Sequence, residues 1–347
     1  MGSLRSLLLI CVLAIAMPVV AQESAPKKVS FIPQWLPQSQ FAGYYVAHEK
    51  GFYRKYGIDM NLLDGGPAQP SAVLLEGGRA DFATMFLSTG IEKRAAGVRL
   101  VNLAQIVQRS SLMLVARRSS EITTPYDING KKVGLWGDEF RVQPMAFFKA
   151  YDLNVRIVPQ GDTINLFLRG GVDLASAMWY NEYHTILNAG VDASELTVFF
   201  FFAYGMNFPE DGIYCMEETY RNDPDLCCRF VKASLEGWRY AFDHPAETLD
   251  IVMKYVNERN IATDRSHQKW MLERMKDVIF PTPAETSAND AGIRQVLRAD
   301  PRFAVPMGVL SPDAYETAVT QLMGYGLIAR RPSYSEFYMD CVKPDAK

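Results

Sequence analysis

The feature that most constrains this chain is an alternation of short β-rich runs with amphipathic helical runs, made twice over. In the first series, residues 29–33, 58–63 and 80–85 read as strands, and 41–56, 72–77 and 89–96 as helices. Gly57 closes the first helix, Gly65-Gly66-Pro67 makes a turn and Ser71 is placed to cap the second helix. Strand–helix–strand repetition at this spacing predicts a mostly parallel sheet with right-handed crossovers. Two extended segments, 100–108 and 112–116, then lead to a second series. Its strands are 131–135, 155–158, 173–178 and 196–203, and its helices 142–150, 163–169 and 180–189. After a short extended piece at 213–216, the rest is helical: 224–242, 246–259, 265–279, 291–299 and 312–325. The expectation is an α/β protein of two open lobes around a central ligand cleft, with a helical C-terminal tail. Residues 29–116 and 214–347 form one lobe and 117–213 the other.

Composition limits what such a chain can do. At 347 residues and 48% hydrophobic, it can fill two cores. With 36 basic and 39 acidic residues the net charge is −3, and no basic run offers a surface for nucleic acid. The N-terminus reads as an export signal over residues 1–21. A positive start at Arg5 precedes an apolar stretch, 7–20, which is shorter than the about 20 residues of a membrane span. Val19 and Ala21 supply the small residues that signal peptidase needs. Cys11 follows Ile10 rather than a small residue, so a lipoprotein is not expected. The mature chain is therefore expected in the periplasm. Its cysteines, Cys215, Cys227, Cys228 and Cys341, match no zinc spacing. Cys227 reads as a buried thiol on a helix face, and one bridge, for instance through Cys215, stays open.

In open α/β sheets ligands bind beyond the carboxyl ends of strands. That rule collects Trp35, Gln38, Gln40 and Tyr44 after the first strand, Gly66 after the second, and Phe86 and Ser88 after the third. In the second lobe it collects Trp136, Trp179, Asn181, Glu182 and Tyr204. Flat apolar faces with a few fixed polar groups suit a planar, polar heteroaromatic ligand. Tyr44, with Tyr45, Phe52 and Tyr56 at helical spacing, also suits a lobe core. Ser88 and Glu182 have capping roles as their alternatives, as do Asp138 and Glu139. Catalysis finds little support. The four histidines form no metal-ligating pair at helical spacing, and no nucleophile elbow or phosphate loop occurs. Binding is expected, with no enzymatic turnover, no cofactor and no metal.

Several runs resemble a known family. They are Trp35-Leu36-Pro37-Gln38 with Gln40-Phe41-Ala42-Gly43-Tyr44-Tyr45, Lys50-Gly51-Phe52-Tyr53, Gly65-Gly66-Pro67, Trp179-x-Asn181-Glu182 and Arg229-Phe230-Val231 with Gly237-Trp238. Together they resemble the thiamine pyrimidine-precursor-binding family of ABC-transporter substrate-binding proteins. That branch is related to sulfonate, taurine and nitrate binders and to the pyrimidine synthase. The resemblance implies a type II periplasmic-binding fold that captures a small heteroaromatic and hands it to an ABC permease in the inner membrane, acting as a monomer. It also implies that the ligand ring stacks on aromatic side chains while a carboxylate holds its amino group; Trp35, Trp179 and Glu182 occupy those motif positions. A binder of small anions, a pyridoxal-dependent synthase and a sensor lobe are the competing readings. Acids and aromatics at the strand ends, with Arg141 as the nearby exception, speak against anions.

Overall fold

The structure, a computed structural model, describes residues 25–137, 140–280 and 306–342. The expected export signal, the capping pair Asp138 and Glu139 and the expected helix at 291–299 lie outside the described residues. Two five-stranded sheets organise the chain. The first has the order β2-β1-β3-β10-β4, with β1 Lys27–Ile32, β2 Ile58–Leu62, β3 Phe82–Phe86, β4 Leu100–Gln105 and β10 Asp211–Met216. The second has the order β7-β6-β8-β5-β9, with β5 Leu112–Arg117, β6 Lys132–Leu135, β7 Arg156–Pro159, β8 Leu174–Met178 and β9 Leu196–Phe200. In each sheet one strand runs against its two neighbours, β10 in the first and β5 in the second. Both are the first strand after the chain crosses from the other lobe. The crossings therefore fall at 106–111 and 201–210, a few residues before the expected boundaries: β5 belongs wholly to the second lobe, and β10 wholly to the first.

The helices that position the cleft are α1 Ala42–Glu49, α2 Phe52–Lys55, α3 Ser71–Glu76, α4 Leu87–Ala95, α5 Val142–Ala150, α6 Asn165–Leu168 and α7 Glu182–Asn188. The tail adds α8 Glu217–Asn222, α9 Pro224–Asp243, α10 Pro245–Glu258, α11 Arg265–Ile279, α12 Pro312–Gly324 and α13 Tyr334–Phe337. The single helix expected over 41–56 is two. Gly51, at φ 73°, takes the left-handed conformation that glycine adopts without Cβ strain and breaks the run. Helix α9 begins with Asp223 accepting the Leu226 N–H and Pro224 in its first turn, and it buries Cys227, Phe230, Val231 and Trp238. Phe230 stacks on Phe82 of β3, ring centroids 4.1 Å apart, which seats the helix on the first sheet. Where α9 crosses α1, both contacts are glycines. A Cβ on Gly43 would lie 2.3 Å from the Trp238 ring, and one on Gly237 would lie 2.1 Å from the Gly43 carbonyl oxygen.

A disulfide joins Cys228 to Cys341 and ties the end of the tail to α9. Cys215 and Cys227 are free and buried. The bridge thus runs through the outer member of the Cys227-Cys228 pair and not through Cys215, which sits on a central strand with its thiol in the core.

The two crossings are bound to each other. The Glu210 carboxylate accepts from the Ser111 N–H, from the Leu112 N–H at 3.2 Å and from the Ser111 hydroxyl. Ser110 N–H donates to Asn207 Oδ1 at 2.9 Å. Among the described residues, no helix is long and apolar enough to cross a membrane.

Candidate functional site

The loop after β1 is bounded by Pro33 and Pro37 and presents Trp35 into the space between the lobes. Phe86 ends β3 on the same lobe. Opposite them, Trp136 and Phe140 follow β6, and Met178, Tyr180, Asn181 and Glu182 fill the passage from β8 into α7. Together with Gln38 and Gln40 these residues line a narrow pocket at the mouth between the lobes. Its aromatic wall is drawn from both lobes. Trp35 lies 6.0 Å from Trp136 and 5.2 Å from Phe140, and Phe86 lies 5.2 Å from Phe140, all edge to face. A wider cleft continues outward past Trp35, Gln38, Asn181 and Glu182, bordered by Asp162, Asp264 and His267.

A chain of amides and acids runs along the polar side of the cavity. Asp211 accepts from Gln34 Nε2 and, at 2.9 Å, from Gln40 Nε2. Gln38 Nε2 donates to Gln40 Oε1 at 2.6 Å, and Asn181 Nδ2 donates to Gln38 Oε1 at 3.3 Å and to Glu182 Oε1 at 2.8 Å. The other Glu182 oxygen accepts the Met178 N–H at 3.0 Å. Burial pushes both acids up to about 7, against the opposing pull of the Met178 N–H on Glu182 and of Gln40 and Gln34 on Asp211. Glu210 at the crossing is also raised, by burial. Among the described residues no cluster of His, Cys, Asp and Glu could hold a metal ion.

Seven of the twelve residues expected from the strand-end rule meet at this cavity: Trp35, Gln38, Gln40, Phe86, Trp136, Asn181 and Glu182. The other five stand elsewhere. Tyr44 is fully buried in the first lobe against Phe31 and Trp238. Gly66, at φ 136°, lies beneath Leu36 in the turn behind the Trp35 loop. Ser88 is buried in the first turn of α4, and Tyr204 packs on Phe147 and Tyr151 within the second lobe. Trp179 has no exposed surface and faces the Arg274 guanidinium, 5.4 Å from its ring. Strand alternation explains the last case, since Met178 and Tyr180 take the cavity side and turn Trp179 away. Tyr180 and Gln34 stand among the residues that the strand-end rule places after their strands, whereas Phe140 and Met178 were not expected in the wall, nor Asp211 in the polar chain behind it. Asp211 escaped because β10 runs antiparallel, so its amino end, not its carboxyl end, reaches the cleft.

Two five-stranded sheets, each with one antiparallel inner strand reached by a crossing from the other lobe and with a pocket at their facing ends, define a type II periplasmic-binding-protein fold. The solved alkanesulfonate-binding protein SsuA of Xanthomonas axonopodis pv. citri shares this fold, with a TM-score of 0.61 at 10% identity, covering 91% of this chain and 99% of that one. Within that class the chain belongs to the NMT1/THI5-like family, whose model matches residues 38–248. It is 24% identical to the riboflavin-binding protein RibY of Chloroflexus aurantiacus over 274 residues, 74% of this chain and 76% of RibY. It is 21% identical to the formylaminopyrimidine-binding protein of Halalkalibacterium halodurans, over 69% of this chain and 74% of that protein.

Proposed function

We propose that this protein is the periplasmic solute-binding subunit of an ABC importer. Its cargo is a small heteroaromatic with an amino or ring N–H edge, pyrimidine-like in size, which a monomer delivers to an inner-membrane permease. The observation that carries this reading is the aromatic wall drawn from both lobes beside a buried carboxylate. A planar ring placed between Trp35, Trp136 and Phe140 gains contacts from each lobe, so its binding favours the closed arrangement. Glu182 accepts from the ring's donor edge, a charge-assisted hydrogen bond in a site shielded from water. An anion would face Glu182 with neither Lys nor Arg among the residues lining the cavity, which disfavours sulfonate or nitrate as cargo. The export signal expected over residues 1–21 agrees with a periplasmic role and separates the chain from a cytosolic supply of pyridoxal phosphate.

The test is calorimetric titration of the exported protein with 4-amino-5-hydroxymethyl-2-methylpyrimidine, riboflavin and an alkanesulfonate. Binding of a heteroaromatic and not of the sulfonate is expected. Trp35→Ala should weaken that binding by about 1–3 kcal/mol, the range of base–aromatic stacking. Preference for the sulfonate would overturn the reading. So would pyrimidine formed when the protein is incubated with pyridoxal phosphate, iron and oxygen.

A further inference from the structure

On one flank of the cleft the lobes meet through a continuous stack of rings and charge. The Arg274 guanidinium of α11 lies 5.4 Å from the Trp179 ring and 4.6 Å from the Trp270 ring. Trp270 stacks on His184 of α7 with centroids 4.4 Å apart and planes 7° from parallel, and His184 stacks in turn on His267 at 5.1 Å. Both lobes contribute: Trp179 and His184 come from the second, Arg274, Trp270 and His267 from the tail packed on the first. His267 then reaches Asn181, Nε2 to Oδ1 at 2.9 Å, and Asn181 holds Gln38 and Glu182 at the cavity.

We propose that this stack is a clasp that holds the lobes closed and positions Asn181 and Glu182 over the cavity, and that it is released when His267 takes a second ring proton. The hydrogen bonds dictate the proton count. Asn181 Oδ1 can only accept, so His267 Nε2 carries a proton. The Nδ1 atoms of His184 and His267 are 2.8 Å apart, so one donates and the other accepts. With Nε2 protonated, a neutral His267 must accept at Nδ1 and His184 must donate, the 2.8 Å contact between the rings taking precedence over the 3.3 Å approach of Asn188 Nδ2 to the same His184 nitrogen. Protonating His267 at Nδ1 sets two N–H groups against each other and breaks the link. The charged and titratable groups around His267 are Asp264, which caps α11 and accepts the His267 N–H, then His184, Glu182 and Asp162 across the cleft, and Arg274 further along the helix. Burial and His184 lower the His267 imidazole to about 4, and Asp264 pulls the other way without prevailing. An imidazole released into water returns to about 6.5, so the contribution of His267 favours the open form in acid between those limits, against the opposite contribution of Glu182 and Asp211.

The closing experiment needs no ligand, so its outcome is independent of the cargo. Spin labels on the exposed positions Val73 and Tyr126, one on each lobe, report the distribution of inter-lobe distances in the full mature protein at pH 7.5 and 5.0. Glu182 and Asp211, raised to about 7 by burial, pull toward the closed form in acid, so the expected result is a difference that cancels them. On acidification the ratio of open to closed molecules should move roughly thirtyfold further toward open in wild type than in His267→Gln. His267→Gln, which keeps a neutral amide near Asn181, should retain only the opposing response of the cleft carboxyls. Arg274→Ala should raise the open fraction at both pH values, and the titration repeated in that background keeps the response visible where the wild-type open fraction is small. An open fraction in the Arg274→Ala protein no larger than that of wild type at both pH values would overturn the clasp. The same pH response in wild type and in His267→Gln would overturn the assignment to His267.

Discussion

Replacing Glu182 with Gln is expected to stabilise the ligand-free protein, and by more as the pH rises. The carboxyl is raised to about 7 in the folded protein from an ordinary 4.5. A raised acid contributes stability that is fully present below the unfolded value and is lost as pH climbs through the folded value. Between pH 5 and 8 wild type should therefore lose about 2–3 kcal/mol of stability that the Gln variant keeps. Reading the effect as a difference between two proteins cancels the other groups that titrate in the window. These include Asp211, also at about 7, and His267, which works in the opposite direction at lower pH. Urea unfolding of both proteins at the two pH values checks it. A gap that stays constant would mean that Glu182 is ionised at neutral pH in the empty site. Asp211→Asn should behave alike through its own carboxyl. The same energy bears on recognition, because a ligand that donates to an ionised Glu182 recovers what burial withholds.

Gly237→Ala is expected to be the most damaging single-methyl change among those considered, costing about 3 kcal/mol or more. The added Cβ would meet the Gly43 carbonyl oxygen at 2.1 Å and the Ala47 Cβ at 2.7 Å. Backbone cannot step aside as a flexible side chain does, so α1 and α9 would have to separate. That separation would move the loop before α1, which carries Gln38 and Gln40. Denaturant unfolding should show the loss as a lower midpoint with the slope preserved. Gly137→Ala makes a fitting control, since a Cβ there meets nothing within 4 Å. A loss below about 1 kcal/mol at Gly237 would mean that the helix pair slides at little cost.

Much of the architecture could be read from the chain before any coordinates. The helices at Val142–Ala150 and Arg265–Ile279 fall where the apolar spacing put them, because an amphipathic repeat buried on one side leaves little freedom of register. Strand ends were legible for the same reason. The short helix Asn165–Leu168 was read as longer, over 163–169, and the 3-10 turn Phe201–Tyr204 as the end of the strand 196–203, since local propensity does not reveal where tertiary packing stops a run. Strand direction was not legible. A parallel and an antiparallel strand bury the same side chains, so nothing in 211–216 distinguishes its entry end from its exit end, and Asp211 was overlooked for that reason. Trp179 misled differently. Its motif position suggested a ring against a ligand, while its partner, Arg274, is supplied from a helix too far along the chain for spacing to reveal.

The position of β10 has a consequence for how the chain comes to be folded. The second sheet is complete once residue 200 is available, because β5, its inner antiparallel strand, is made first. The first sheet must wait. Its inner strand, between β3 and β4, is Asp211–Met216, the last of its five to leave the ribosome or to emerge across a membrane. Until then β3 and β4 present unpaired backbone on the sides they will later share, the kind of open edge that recruits other chains. Vectorial synthesis thus finishes the inserted lobe before the lobe that encloses it, and leaves the enclosing one as the interval in which a holding chaperone has something to hold.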